Sequence, residues 1–200
     1  MTWPRAARAR IAPVSEAPLE DLGSGLAPAA DGWFVVNVRD AQWLSSENGE
    51  KRPSGSECDF EGPASGEREL GVRLHVLVPG EPNGLYHAES KQEAFLVLSG
   101  ECTLLVEGEE RRLRAWDFFH CPAGTEHIFV GAGDAPCVIF MAGARSEDWH
   151  VRYPVSELAT SHGAGAEEET NDPQEAYTRG GFEPSRRGRP SYWDKLPWAT

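Results

Sequence analysis

A series of short apolar runs between Gly71 and Ala144 limits the choice of fold, because a glycine or a proline bounds or interrupts each run. No helical period connects the runs, which are rich in Val, Ile, Leu and Phe. In chain order they are ELGVRLHVLVPG, EAFLVLSG, ECTLLVEGEERRLR, AWDFFHCPAG, EHIFVGAG and PCVIFMAGA. Short strands at regular spacing, with turn residues between them, predict an all-β domain built as an antiparallel sandwich or barrel.

The segments before this series have a different character. Residues 1–31 are rich in Ala, Pro and Arg without a sustained period, which predicts an irregular N-terminal arm. The run WFVVNV predicts a strand at Trp33–Val38, and the Gly-, Pro-, Ser- and charge-rich residues 45–69 predict a long loop. We therefore expect one β domain at residues 32–145 and a C-terminal extension at residues 146–200.

The C-terminal extension carries two short helix signals and an aromatic end. VSELATSHG is typical of one short helix, and NDPQEAY predicts a second with Asp172 as N-cap and Pro173 at its first position. Trp193 and Trp198 are costly to leave in water, so we expect this end to pack on the β domain or on a second subunit.

Charge and composition exclude several kinds of partner. The 200 residues include 32 acidic and 19 basic side chains, and the formal net charge of -13 repels phosphate backbones and anionic membranes. No stretch approaches the roughly 18 apolar residues of a membrane helix, and the first residues lack the apolar core of a signal peptide. We expect a cytoplasmic protein that binds neither nucleic acid nor membrane.

The motifs of several common cofactors and nucleophiles are absent. The sequence has no P-loop, no G-x-G-x-x-G after a strand and no G-x-S-x-G elbow. Its four cysteines form no C-x-x-C pair, and three of them lie in apolar runs, which indicates small buried side chains. We therefore expect no nucleotide-type cofactor and no nucleophilic catalysis.

One stretch, LYHAESKQEAFLVLSG, leads from a histidine and carboxylates into an apolar strand. In extended chain His87, Glu89 and Glu93 would share one face of a sheet. Carboxylates on an inward face need a cation, and a divalent metal would supply one. The alternative is an irregular loop that leaves Glu89 and Glu93 in solvent, and the spacing by itself does not decide between the two.

A second stretch, DFFHCPAGTEHIFVG, adds a proline, a glycine turn and His127 at the head of the next strand. With both stretches the sequence resembles the cupin superfamily, whose first motif combines a glycine, H-x-H, a glutamate and a closing glycine. Gly80, His87, Glu93 and Gly100 match this motif, with six residues between the last two. Pro122, Gly124 and His127 match the second motif, P-x-G-x-x-H, and fifteen residues separate the motif regions 80–100 and 116–131.

The sequence departs from the cupin pattern at three positions. Glu89 replaces the second histidine of the first motif, Trp116 replaces the opening glycine of the second, and Gly131 replaces its closing asparagine. The last two lie at turns, which favours a structural reason. Glu89 bears on the chemistry, because it decides whether the ligand set has three or four members.

The resemblance implies a single antiparallel jelly-roll β-barrel that holds a divalent transition metal. Its implied ligands are His87, Glu89, Glu93 and His127, or only the 2-His-1-carboxylate set without Glu89. Either set suits Fe(II), Mn, Ni or Zn. The resemblance also implies a homodimer, and WFVVNV is a candidate strand for pairing with a second subunit.

Two functions remain open from the sequence. One is a metal-dependent protein that binds or converts a small polar organic molecule in the barrel mouth, as a dioxygenase or an isomerase does. The other is a non-catalytic module that binds a small ligand without metal. The sequence predicts neither the substrate nor the identity of the metal.

Overall fold

The computed structural model describes residues 14–46, 55–62, 69–179 and 186–199, and most of their regular structure is β. The strands of these residues are β1 (Leu19–Asp21), β2 (Leu26–Pro28), β3 (Trp43–Ser46), β4 (Gly55–Asp59), β5 (Leu70–Leu77), β6 (Ala88–Glu89), β7 (Glu93–Ser99), β8 (Glu101–Val106), β9 (Glu109–Arg114), β10 (Phe118–Cys121), β11 (His127–Ala132), β12 (Cys137–Ala144), β13 (Val151–Arg152) and β14 (Arg186–Arg187). The helices are α1 (Glu157–Ser161), α2 (Pro173–Arg179) and a 3-10 turn at Trp193–Lys195.

Two sheets make up most of the molecule. The larger has seven antiparallel strands in the order β10-β7-β12-β5-β4-β3-β14, and the smaller has three in the order β11-β8-β9. Two further pairs, β1-β2 and β13-β6, are two-stranded. All named strand pairs are antiparallel, as the short Gly- and Pro-bounded runs predict.

The main hydrophobic core lies between the two larger sheets. Phe95 and Val97 of β7 and Ile139 of β12 face Leu104 of β8 and Phe129 of β11 in one buried cluster. Alternate residues of a strand point to the same side, so each strand contributes every second side chain to this core. The core fixes the β-rich fold, whereas a closed jelly-roll barrel stays a prediction.

All six apolar runs between Gly71 and Ala144 form strands, and both helix predictions in the C-terminal extension are confirmed. The hairpin of β8 and β9 turns at Glu107 and Gly108, which both have positive φ angles. Asp172 caps α2 as expected, because its Oδ1 accepts a hydrogen bond from the backbone N–H of Gln174 at 2.8 Å.

The strand prediction for Trp33–Val38 is wrong. The structure has only an isolated bridge from Trp33 to Glu16 there, and the strand begins at Trp43. Val36 and Val38 pack against the cluster of Trp43, while Val35 is 80% exposed. Packing of alternate side chains therefore accounts for the apolar pattern without a sheet partner.

The long loop predicted for residues 45–69 is interrupted by a strand. β4 lies in its middle and pairs with both β3 and β5. Its sequence, GSECD, has little β propensity, but the ladder on both sides and the burial of Cys58 override that preference. Residues 47–54 and 63–68 of the predicted loop lie outside the described residues.

The predicted irregular arm is partly regular. Residues 1–13 lie outside the described residues, but β1 and β2 form a hairpin in which Ala27 is buried. The close approach of this hairpin to the chain at Ala41 requires Gly25, since an added Cβ there would lie 2.1 Å from the Ala41 carbonyl oxygen. The arm therefore packs on the β domain from residue 16 onward.

The C-terminal end packs on its own chain. Trp193 and Trp198 place their rings 5.4 and 5.2 Å from the ring of the fully buried Trp43. Leu196, which is 3% exposed, belongs to the same cluster. This confirms the expectation that the C-terminal end packs on the β domain, where it contacts the seven-stranded sheet at Trp43.

The two α-helices among the described residues have five and seven residues, far short of the length needed to cross a bilayer.

Candidate metal centre

The seven-stranded sheet presents polar side chains in adjacent rows of one face. Glu93 of β7 lies opposite Gly143 of β12, which in turn lies opposite Gly71 of β5. Arg73 and His75 follow Gly71 at alternate positions of β5, so their side chains lie on the same side as that of Glu93. The two glycines make room for their neighbours, since an added Cβ at Gly71 would lie 2.6 Å from the Arg145 guanidinium and one at Gly143 would lie 3.6 Å from Glu93 Cγ.

Two histidines approach Glu93 from the neighbouring segments. His87 and His127 form an isolated antiparallel bridge, with reciprocal backbone N–H to carbonyl hydrogen bonds of 3.1 and 2.8 Å. Their ring centroids are 4.9 Å apart. The ligand atoms of His87, Glu93 and His127 all lie within 4.8 Å of one another. The structure thus brings together three of the four residues predicted as metal ligands.

Hydrogen bonds fix the tautomer of both histidines. His87 Nδ1 lies 2.7 Å from the Leu85 carbonyl oxygen, and His127 Nδ1 lies 3.1 Å from the Thr125 carbonyl oxygen. A carbonyl oxygen can only accept, so each Nδ1 carries the proton and donates. Each Nε2 is therefore left as a lone-pair donor for a metal, and the backbone carbonyl orients the ring as an outer partner of a metal ligand does.

Burial keeps these groups uncharged without a cation. Burial lowers the pKa of His87, and burial together with nearby His87 lowers the pKa of His127 to about 3. Burial, followed by the charge of Glu89, raises the pKa of Glu93 to about 8. Neutral imidazole is the form that binds metals, and a bound cation would favour the ionised form of Glu93.

Glu93 has an unpaired oxygen at the centre of the group. Its Oε2 is buried and has no hydrogen-bond partner among the described residues, and it lies 3.5 Å from His127 Nε2. A buried polar atom without a partner is unfavourable, and a cation bound between Oε2 and the two Nε2 atoms would remove that cost. The residues present therefore fit a divalent transition metal.

Glu89, the fourth predicted ligand, lines the same cavity but lies outside the group of three. Its Oε2 accepts a hydrogen bond of 2.7 Å from the indole Nε1–H of Trp149. His87, Glu89 and Glu93 all line one cavity, which agrees with their predicted position on one face of a sheet. Ligation by Glu89 stays a prediction.

His87, Glu93 and His127 form the metal group, which opens into a cavity of about 590 Å³. On the side of β5 its wall holds a second polar cluster, in which His75 Nε2 lies 3.1 Å from Glu57 Oε2 and Arg73 lies 3.5 Å from the same carboxylate oxygen. Burial would raise the pKa of Glu57, but His75 and Arg73 outweigh it and lower that pKa to about 2. His75 is thus held by Glu57, and its position beside the cavity gives it access to a ligand.

The C-terminal extension supplies part of the cavity wall. Trp149, Tyr153 and Tyr177 line it, and the Tyr153 ring lies 5.9 Å from that of His87. The sequence analysis missed these residues because no motif connects them to the histidines. The only signal available was the aromatic content of an extension expected to pack on the domain.

The departures from the cupin pattern at Trp116 and Gly131 have structural explanations, but the expectation of a turn at Gly131 is wrong, because this residue lies within β11 and pairs with Cys102 of β8. Trp116 has a φ of +76°, so it adopts the conformation that a glycine would adopt more easily. Gly131 lies where the backbone comes close to the carbonyl of Val78, and an added Cβ would be 2.1 Å from that oxygen. Neither residue belongs to the metal group.

Comparison with known proteins agrees with this architecture. Residues 73–143 match the family model of the cupin domain, and this segment contains all three members of the metal group. This segment of the chain therefore matches the cupin domain, as the resemblance to the cupin superfamily predicts. No curated protein sequence matches the chain.

Several solved structures are similar to this chain at low sequence identity. A sugar phosphate isomerase of the cupin superfamily from Silicibacter pomeroyi is 24% identical, with a TM-score of 0.50, and the match covers 59% of this chain and 80% of that one. A putative sugar phosphate isomerase from Acidithiobacillus ferrooxidans is 29% identical, with a TM-score of 0.47, over 51% of this chain and 66% of that one. A predicted oxalate decarboxylase from Thermotoga maritima is 16% identical, with a TM-score of 0.49, over 56% of this chain and 100% of that one.

Proposed function

We propose that this chain is a metal-dependent cupin that holds a divalent transition metal at His87, Glu93 and His127 and acts on a small polar organic molecule in the adjoining cavity. The observation that carries the proposal is the convergence of two imidazole Nε2 atoms on a buried carboxylate oxygen that has no hydrogen-bond partner among the described residues. Two imidazoles and one carboxylate suit Fe(II), Mn, Ni or Zn. Glu89 lines the same cavity but lies outside this group of three.

The chain's own residues would divide the remaining work. A bound ion supplies Lewis acidity toward a ligand oxygen, which is the chemistry that dioxygenases and isomerases of this kind need. Leu85 and Thr125 hold the two imidazoles in the metal-binding tautomer. Tyr153 and Trp149 cover one side of the cavity, and His75 offers a polar contact on the other.

The metal content of untagged protein tests this proposal. We expect about one equivalent of a transition metal in the parent, measured by inductively coupled plasma mass spectrometry. His127→Ala should lose the metal, and the near-isosteric Glu93→Gln should weaken its binding while the fold is kept. His120→Ala is the matched control, because His120 lies exposed on β10 outside the metal group and its loss should leave the metal content unchanged.

Absence of metal from the parent, even after reconstitution with Fe(II), Mn²⁺ and Zn²⁺, would overturn the proposal. The cavity would then favour the second function, a module that binds a small ligand without metal and without catalysis. Parent-level metal in His127→Ala and Glu93→Gln would also contradict it, since the ion would then lie elsewhere.

We further propose that the two larger sheets close as a jelly roll and that the protein forms a homodimer. Trp33 and Val35, which are 51% and 80% exposed, support a subunit contact near the WFVVNV segment. Light scattering at micromolar concentration should report twice the mass of the chain, and a monomer would contradict the dimer. A cytoplasmic location stays a prediction.

A further inference from the structure

Glu89 lies beside the metal group, yet its carboxylate is engaged elsewhere. Its Oε2 accepts the 2.7 Å hydrogen bond from Trp149 Nε1, and the residue is absent from the group whose ligand atoms lie within 4.8 Å of one another. Both side chains line the cavity. The position that the cupin pattern gives to a second histidine therefore holds a carboxylate that the indole keeps bound.

Contacts of the residues on either side of Trp149 hold its indole next to Glu89. Asp148 Oδ1 forms an ion pair of 2.8 Å with Lys91 Nζ. The backbone N–H of Ser90 donates to the His150 carbonyl at 2.9 Å, and the backbone N–H of His150 donates to Ser90 Oγ at 2.9 Å. These contacts join the residues on both sides of Trp149 to the residues that follow Glu89, so the indole and the carboxylate keep their relative position.

The Glu89 side chain lines the same cavity as His87, Glu93 and His127. Glu89 lies two residues after His87 and pairs with Val151 of β13, which directs its side chain to the cavity side. Without a hydrogen-bond donor to hold it, a carboxylate on the wall of this cavity would be able to turn toward a bound cation and become its ligand.

We propose that Trp149 is a positioning residue that holds Glu89 beside the bound metal and out of its coordination sphere. This inference rests on the proposed metal site. It explains how a chain with four candidate ligands keeps the open positions that a ligand oxygen needs, because the fourth carboxylate is retained by the indole. Trp149 lies beyond residues 73–143, so this arrangement belongs to the C-terminal extension rather than to the matched cupin segment.

Zn²⁺ affinity in four proteins tests the inference. The parent, Trp149→Phe, Glu89→Gln and the double variant are compared by competition with a chelator. Trp149→Phe removes the N–H donor but keeps an aromatic ring, so Glu89 can reach the ion and Zn²⁺ should bind roughly 3- to 10-fold more tightly. The double variant should return to the affinity of Glu89→Gln. Trp33→Phe is the control, because Trp33 is exposed and lies outside the cavity lining.

The indole N–H signal of Trp149 gives a second readout, which a merely structural role would not affect. Trp149→Phe identifies that signal in a nitrogen-15 correlation spectrum by its loss. We expect the signal to keep its hydrogen-bonded shift when Zn²⁺ is added to the parent, because Glu89 stays on the indole. A shift toward that of a free indole would mean that Glu89 moves to the ion, and would overturn the inference.

The outcomes separate the two proposals. If the parent binds Zn²⁺ and the Trp149→Phe variant binds it with equal affinity, the positioning role is refuted while the metal site stands. A parent that binds no Zn²⁺, Mn²⁺ or Fe(II) would refute both.

Discussion

Replacement of Trp116 by glycine should stabilise the protein, although it removes a large aromatic side chain. Trp116 is the third residue of a turn closed by a 3.0 Å hydrogen bond from the Asp117 N–H to the Arg114 carbonyl. Its φ of +76° is the conformation that the third position of a type II turn requires and that glycine adopts most easily. The side chain is 75% exposed, so little packing is lost.

The magnitude follows from two opposing terms. A left-handed conformation costs a residue with a Cβ about 1–2 kcal/mol, and glycine removes this cost. Glycine also adds about 0.5–1 kcal/mol of conformational entropy to the unfolded chain. The net gain in the free energy of unfolding is about 0.5–1 kcal/mol, which for a chain of this length raises Tm by about 1–4 °C.

Urea unfolding of Trp116→Gly, Trp116→Ala and Ala115→Gly measures the terms separately. Trp116→Ala keeps the strain, so the glycine variant should be about 1 kcal/mol more stable than the alanine variant. Ala115→Gly is the control, because Ala115 has no positive φ and glycine there should destabilise by about 0.5–1 kcal/mol. If Trp116→Gly is less stable than Trp116→Ala, the argument from backbone strain is refuted.

Three further predictions concern stability. Leu196→Ala should lower the free energy of unfolding by about 2–5 kcal/mol in urea, because Leu196 is buried where the C-terminal end covers the sheet. Gly131→Ala should destabilise by about 2 kcal/mol or more in the same assay, because its Cβ would lie 2.1 Å from the Val78 carbonyl oxygen. The lowered pKa of Glu57, about 2 against its ordinary 4.5, stabilises the protein by about 3 kcal/mol above pH 4.5, and this contribution should disappear as the pH falls from 4.5 to 2.

Each of these predictions has a matched control. Val155→Ala removes an apolar side chain that is 58% exposed and should change the free energy of unfolding little. If Leu196→Ala lowers that free energy no more than Val155→Ala does, the packing of the C-terminal end on the sheet is contradicted. Gly188→Ala adds a Cβ with no atom within 4 Å and should be tolerated. Glu57→Gln cannot titrate, so its stability should fall less between pH 4.5 and 2 than that of the parent; parallel curves would contradict the assigned role of Glu57.

The strands of the central domain were predictable because their apolar residues and their turns are local signals. β5, β7 and β12 each combine such a run with a glycine or proline nearby. β4 was not predictable, because GSECD gains its strand conformation only from the partners on both sides. The segment Trp33–Val38 has the composition of a strand but does not form one. Val36 and Val38 pack against the cluster of Trp43, and no strand among the described residues pairs with them.

The candidate site divides in the same way. His87, Glu93 and His127 were found by spacing and by resemblance, and the backbone brings them together at the bridge of the two histidines. The hydrogen bond from Trp149 to Glu89 joins residues 60 positions apart, so no local pattern could reveal it. The sequence therefore could not show that the Trp149 N–H binds the carboxylate of one of the four predicted ligands.

Anomalous X-ray diffraction from crystals grown with Zn²⁺ tests the central claim most directly. The proposed metal site predicts one strong anomalous peak, from a bound zinc ion, about 2.0–2.2 Å from His87 Nε2, His127 Nε2 and an oxygen of Glu93. A peak at any other place, or no peak within reach of both imidazoles, would contradict it.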